Sequence, residues 1–254
     1  MITPSNFDLY SLYYDLLYED KDYAKEAAYV IQAIGTLIPG RDNILELGSG
    51  TGGHAAALCA AGFKVTGLER SPEMVALSKS KSIQGFSPLV ADISNFELPE
   101  KFGAAISLFH VVSYLVDNER LISCFKSTWQ HLNPGGIFLF DFWYSPAVYH
   151  FKPETRIKRL SNDLIEITRL AEPVIRDNEN VVDVNYEIIA MDKRTGLAKI
   201  IKETHPMRHF SLPEIELLAT ITGFQLIRAE EFLSGRSAGK DTWGVCCILQ
   251  KIMA

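Results

Sequence analysis

Residues Ile44-Leu45-Glu46-Leu47-Gly48-Ser49-Gly50-Thr51-Gly52-Gly53-His54 form an apolar run that breaks into glycines and then enters a helix-forming stretch. Few folds accommodate such a segment. Glycines let the main chain turn sharply and let a ligand touch backbone, and the helix that follows offers free N–H groups at its start. A strand, a glycine turn and a helix in that order belong to open α/β sheets, whose ligands sit at the carboxyl ends of the strands.

The rest of the chain continues the alternation. A leading helix is expected over 23–37, where Ala27, Val30, Ile31 and Ile34 keep helical spacing before Pro39-Gly40. Strands are expected over 43–48, 64–68, 87–91, 103–109 and 136–142, with helices over 53–61, 72–80 and 118–132. Such a pattern means a parallel sheet covered by helices on both faces. From 156 to 208 the period changes to two: Val182, Val184, Tyr186 and Ile188 alternate with Asp183, Asn185 and Glu187, and turn residues stand at 176–178 and 192–196. That segment reads as an antiparallel β insertion. Ser211, Pro213 and Glu214 open a last helix that ends at Gly223, followed by closing strands over 224–230 and 243–249. With 254 residues, 47% of them hydrophobic, one elaborated domain over 1–254 is expected.

Several partners are disfavoured. The formal net charge of -6 and the absence of a Lys/Arg-rich run argue against a nucleic-acid partner. The start of the chain, from Met1 to Asp8, lacks the basic and apolar regions of a signal peptide, and the apolar run at 104–116 is interrupted by Ser107, His110 and Ser113, so no membrane association is expected. Cys59, Cys124, Cys246 and Cys247 suit neither a disulfide framework nor a metal site, which fits the cytoplasm. His205 and His209 have metal-ligand spacing, but Pro206 and the strand pattern spoil a helix there, and no metal is expected.

The glycines fit Gly-x-Gly-x-x-Gly (Gly48, Gly50, Gly53), so a dinucleotide such as NAD is one candidate ligand. Glu69, about 20 residues on at the end of the second strand, suits ribose hydroxyls in either an NAD or an S-adenosylmethionine site. Three other features separate them. Glu46 gives Glu-x-Gly-x-Gly-x-Gly, Ala91-Asp92-Ile93 closes the third strand, and Leu132-Asn133-Pro134-Gly135-Gly136 precedes the fifth. In this order they resemble the motifs of class I methyltransferases. The resemblance implies a doubly wound, mostly parallel seven-stranded Rossmann-like sheet and S-adenosylmethionine as cofactor. It implies that Glu46 holds the amino acid end and that Asp92 accepts from the adenine amine. Gly48, Ser49, Gly50, Thr51, Gly52, Arg70, Met74, Ala91, Ile93 and Phe109 would complete the cofactor site.

Within that family, Tyr14-Asp15-Leu16-Leu17-Tyr18 with Lys21-Asp22-Tyr23, the stretch Phe109 to Leu115, Phe142-Trp143-Tyr144, the insertion and Phe210-Ser211 resemble bacterial N-methyltransferases of dTDP-linked amino sugars. The resemblance implies an N-terminal helical lid over 1–42 in which Tyr14, Tyr18 and Tyr23 close over cofactor and substrate. It also implies a substrate-covering insertion over 150–208. This chain has Gly235-Arg236-Ser237 where those enzymes carry a Gly-Arg-Gly segment, so the reaction carries over better than the sugar contacts.

Methyl transfer is an in-line displacement with an activated leaving group, so alignment and a dry, polar-lined site are what a chain must supply. His110 is the candidate to contact or orient the acceptor, with Tyr14 beside it as the second catalytic candidate; a packed histidine at a strand end is the other reading of His110. Tyrosines offer a flat face to a sulfonium and a hydroxyl donor. Tyr14 and Tyr18 are also spaced as a core-facing helical pair. Tyr18, Trp143 and Tyr144 are candidate walls of the substrate pocket, or packing residues. The insertion serves as a lid or as the surface of a homodimer. The expected function is methyl transfer to nitrogen, less readily oxygen, of a small polar metabolite, best a nucleotide-linked amino sugar. The alternatives are a glycine N-methyltransferase-like enzyme, and a non-catalytic protein that binds NAD or S-adenosylmethionine.

Overall fold

A computed structural model describes residues 11–252, and of Ser11 and Leu12 only the backbone. The signal-peptide reading of residues 1–8, and the first ten residues of the expected 1–42 lid, lie outside the described residues. The elements run α1 (Ser11–Leu17), α2 (Tyr23–Leu37), β1 (Asn43–Leu47), α3 (Gly53–Ala60), β2 (Lys64–Glu69), α4 (Pro72–Ser80), β3 (Phe86–Val90) and β4 (Phe102–Ser107). A 3₁₀ turn (Val111–Tyr114), α5 (Asn118–His131), β5 (Leu132–Trp143) and α6 (Ser145–Phe151) follow. Then come β6 (Arg156–Ser161), β7 (Ile165–Arg176), β8 (Val181–Asp192), β9 (Ala198–Arg208), α7 (Leu212–Thr222), β10 (Phe224–Glu231) and β11 (Gly244–Lys251).

Seven strands form one sheet in the order β10-β11-β5-β4-β1-β2-β3. β1 to β5 pair in parallel, and β11 runs antiparallel to both β5 and β10. This is the doubly wound sheet that the alternation predicts. β1 and β4 are apolar almost throughout because both of their faces are covered. On one face Leu45, Phe138, Phe140, Phe142 and Phe224 pack against Phe125 of α5 and Ile215 of α7. Phe125 stands 5.2 and 5.3 Å from Phe138 and Phe140, near edge-on to both. On the other face Ile44, Val65, Ala104, Ile137 and Leu139 pack against Val30 and Ile34 of α2 and Leu58 of α3. Period two in β1 and β5 therefore sends Glu46 and Asp141 to this second face, where they are 1% exposed.

β6 to β9 form a separate antiparallel sheet in sequence order. The alternation read in 182–188 is the observed one: Val182, Val184 and Ile188 are buried. The inner face meets α1 and α4 through Leu17, Met74, Ile167, Ile188 and Ile201, and Lys158 of β6 donates to the Leu17 carbonyl and to Asp20 at 2.8 Å each. This excursion leaves and rejoins the large sheet at one point. Phe210 donates its N–H to the Trp143 carbonyl at 3.0 Å and its carbonyl accepts from Ser145 N–H at 2.9 Å.

Three expectations need correction. The strand expected over 103–109 stops at Ser107, because Phe109 and His110 take left-handed φ of 65° and 61°. The helix expected to reach 132 ends at His131, and Leu132 pairs directly with Phe102, so the Asn133-Pro134-Gly135-Gly136 turn becomes an irregularity within β5. Helix α6, opened by Ser145-Pro146, has no counterpart in the expected elements. No helix among the described residues is long and apolar enough to cross a membrane.

Candidate active site

The carboxyl ends of β1, β2, β4 and β5, with the loop after β3, open on one crevice, and α1 and the second sheet roof it. Its floor is the glycine loop. Gly48 has φ +75°, and a Cβ there would lie 2.5 Å from Val111 Cγ1 in the turn after β4, so only glycine lets the two loops meet. Gly50, at φ +53°, has only the Met74 sulfur near at 4.0 Å, which leaves its backbone open to a ligand. Gly52 is the left-handed N-cap of α3.

Two carboxylates bracket this loop. Glu69 accepts from Gly50 N–H at 3.0 Å and Ser71 N–H at 2.8 Å, tying the end of β2 to the glycine turn and to the start of α4. Burial pushes its carboxyl up, partly offset by those N–H groups. Glu46 lies beneath the loop, where burial likewise pushes it up. Its Oε1 is 3.5 Å from His54 Nδ1, and its Oε2 is buried without a hydrogen-bond partner among the described residues. His54 Nε2 meets Glu26 Oε2 at 2.6 Å, and Glu26 also holds Lys21. Burial works to lower the His54 imidazole, but the two glutamates win and raise it. A buried chain of charge, Lys21, Glu26, His54 and Glu46, thus joins α2 to the glycine loop.

A smaller recess beside the loop is lined by Tyr14, Tyr23, Ser49, Thr51 and Phe109. The Tyr23 ring stands 4.9 Å from that of His54, and burial pushes its phenol up to about 12. Thr51 donates to Asp15 of α1 at 2.6 Å, so the glycine loop is tied to α1. Lys21 Nζ stands 4.2 Å from the centre of the Phe109 ring. At the other end of the crevice Met74, Arg70, Asp92 and Ile93 form the wall. Asp92 accepts from Ser94 N–H at 2.9 Å and from Arg120 Nη2 at 2.9 and 3.2 Å. Burial would raise Asp92, but these donors keep it below the usual carboxylate range. Ala91 packs on the core, with its N–H bonded to the Glu69 carbonyl at 3.0 Å.

Of the acceptor-side residues named from sequence, Tyr14, Tyr18, His110 and Trp143 line the crevice. Tyr144 does not; it packs against the aromatic core, and its backbone bridges to Phe210. His205 is buried, with Nδ1 2.9 Å from the Tyr114 hydroxyl and Nε2 3.1 Å from Glu203, while His209 Nδ1 lies 2.9 Å from Ser145 Oγ. Sequence reasoning missed Tyr114, Arg120, Tyr186, Met207 and Asp141. Asp141 had a readable signal, a lone carboxylate inside the apolar run of residues 137–143. Tyr186 and Met207 had none, because only the folded insertion turns them toward the crevice.

The arrangement fits an elongated ligand with a cationic group at the orphaned Glu46 oxygen and vicinal hydroxyls at Glu69. A methyltransferase-domain family model matches residues 44–136. The chain is 26% identical over 235 residues to the dTDP-3-amino-3,4,6-trideoxy-alpha-D-glucopyranose N,N-dimethyltransferase of Streptomyces venezuelae, covering 92% of this chain and 94% of that enzyme. It is 30% identical over 179 residues to the dTDP-4-amino-2,3,4,6-tetradeoxy-D-glucose N,N-dimethyltransferase of Saccharopolyspora spinosa, covering 65% and 68%. SAM-bound CalS10, an amino pentose methyltransferase from Micromonospora echinaspora, superposes with a TM-score of 0.75 at 21% identity, covering 99% of this chain and all of that one. With the glycine loop and Glu69 lining one crevice, Glu46 buried beneath that loop, and a 30% identical relative matched over 68% of its length, the chain belongs to the S-adenosylmethionine-dependent methyltransferases and uses S-adenosylmethionine as its cofactor.

Proposed function

We propose that the acceptor is the amine of a nucleotide-linked amino sugar. The observation that carries this reading is the near end-to-end match to the Streptomyces venezuelae dimethyltransferase, which spans the insertion as well as the sheet. The chemistry of the acceptor wall supports it. Tyr18, Tyr114 and Tyr186 bring hydroxyls and flat faces, and Trp143 adds an apolar plane, the combination that suits a deoxysugar with both C–H faces and hydroxyls. A nucleotide sugar is a cytosolic metabolite, so the enzyme works in the cytoplasm in this reading.

When bound, the cofactor supplies the methyl group. In this proposal Glu46 holds its ammonium and Glu69 its ribose hydroxyls, with Gly48, Ser49, Gly50, Thr51 and Gly52 forming the backbone floor. Asp92 takes the adenine amine while sharing its carboxylate with Arg120, and Arg70, Met74, Ala91 and Ile93 shape that end. Tyr14, Tyr23 and Phe109 enclose the end where transfer takes place. His110 contacts the acceptor, Tyr18 and Trp143 wall it, and Tyr144 buttresses the wall from behind. Residues 1–42 act as the lid and 150–208 as the cover that selects the acceptor.

The test is a transfer assay with radiolabelled S-adenosylmethionine and dTDP-3-amino-3,4,6-trideoxyglucose, with glycine run in parallel. Mass gains of one or two methyl groups on the sugar nucleotide are expected. Methylation of glycine with none on the sugar would overturn the reading.

A further inference from the structure

His110 reaches the crevice by an unusual backbone route. It and Phe109 are consecutive non-glycine residues in the left-handed region, a strained conformation that persists where the surroundings impose it. Asp141 imposes it here. From the middle of β5, and 1% exposed, Asp141 accepts the His110 backbone N–H on Oδ1 at 3.0 Å and faces His110 Nδ1 with Oδ2 at 2.8 Å. One carboxylate therefore holds the main chain of His110 by a hydrogen bond and stands against its ring. The ring contact is an ion-pair distance without hydrogen-bond geometry, since Nδ1 makes no hydrogen bond among the described residues; catalytic hydrogen bonds are often misaligned in this way before reactants arrive. Burial would raise the Asp141 carboxyl, but His110 beside it holds it low, so it stays ionised.

We propose that Asp141 is a positioning residue that keeps the His110 proton on Nδ1, so that Nε2 receives a proton from an acceptor amine that arrives as its ammonium. This deepens the amino-sugar reading and rests on it only for the acceptor being an amine. An alkyl amine of ordinary basicity is mostly protonated at neutral pH, as the α-amino value of about 8 illustrates, and an ammonium has no lone pair with which to attack. Removing its proton also removes a positive charge from beside the cationic methyl donor.

No other group lining the crevice, among the described residues, suits the task. Burial pushes the Tyr14 and Tyr114 phenols well up and that of Tyr186 to about 12, so they stay protonated, and the Tyr18 hydroxyl is held by Arg169 Nη1, which donates to it at 3.3 Å. Glu69 and Asp92 lie at the cofactor end, bonded to backbone N–H groups and Arg120. Just behind the wall, both nitrogens of His205 are engaged. In the step itself, His110 Nε2 takes one proton from the ammonium. The freed nitrogen lone pair forms the N–C bond to the methyl group as the C–S bond breaks with its electron pair left on sulfur, and the proton leaves His110 for solvent.

Two readouts test this. In ¹⁵N-histidine-labelled protein bound to S-adenosylhomocysteine, the resonance that vanishes in His110→Gln is expected to show the Nδ1–H tautomer, and Asp141→Asn to convert it to Nε2–H. An Nε2–H tautomer in the wild type would overturn the proposal. In the transfer assay, Asp141→Asn and His110→Gln are each expected to lower kcat at least 100-fold, with S-adenosylhomocysteine Kd within about twofold of wild type in both and acceptor KM within about twofold in Asp141→Asn. Unchanged kcat in His110→Gln would equally overturn it. Because the tautomer is read without an acceptor, a wild type that methylates no amino sugar defeats the acceptor reading alone.

Discussion

The two sides of the crevice are built differently. The side proposed for the cofactor is made of strand ends and the turns directly after them: Gly48 and Gly50 after β1, Glu69 ending β2 with Arg70 after it, Asp92 after β3. The side proposed for the acceptor is assembled from Tyr18 just after α1, His110 and Tyr114 after β4, Trp143 ending β5, Tyr186 in β8 and Met207 in β9. On the first side, local covalent sequence dictates position. On the second, side chains far apart in the chain meet only because a second sheet folds over the first. Evolution can alter the second without moving the first.

Substitutions can break or sharpen that contrast. The largest effect is expected from Gly48→Ala, which puts a Cβ into Val111 and strains a φ of +75°; S-adenosylhomocysteine Kd by calorimetry should rise about 100-fold or more, near 2.7 kcal/mol. Glu69→Ala removes the acceptor for two backbone N–H groups and, in the proposed cofactor pose, for the ribose, and should weaken the same Kd about 30-fold, near 2 kcal/mol. On the other side, Tyr186→Phe should raise acceptor KM by about tenfold, the value of one lost hydrogen bond, and leave the S-adenosylhomocysteine Kd alone. Equal losses of both affinities in Tyr186→Phe would mean that the two sides are one unit.

The smallest effect concerns the buried chain beneath the glycine loop. His54 is raised above its ordinary value by Glu26 and Glu46, so the stability it contributes is full below that ordinary value and is lost as pH climbs through the raised one. The melting temperature of the ligand-free protein should fall across that window. His54→Gln should flatten the decline, and a decline that survives the substitution would place its origin elsewhere.

The same contrast explains what was legible in the sequence. The glycine loop, Glu69 and Asp92 were readable because turn chemistry and strand ends are local. The period-two pattern in β8 gave the insertion's buried face, yet it could not say that Tyr186 would look into the crevice. His110 was found as a residue but misplaced in backbone: a strand was expected through 109, and the left-handed pair that replaces its end is imposed by Asp141, 31 positions later. Tyr144, adjacent to Trp143, faces the core because its backbone is bridged to Phe210.

That bridge has a consequence for inheritance. The chain departs after Trp143 and is hydrogen-bonded to Trp143 again at Phe210, so everything between is a single closed excursion whose two ends are already joined. Doubling the length of such an excursion costs only about 0.6 kcal/mol in closure entropy. Lengthening, trimming or exchanging the second sheet therefore leaves the large sheet's own ends where they were, and a lineage can rewrite the two crevice residues this sheet supplies, Tyr186 and Met207, within one contiguous stretch of gene while the rest of the crevice passes on intact.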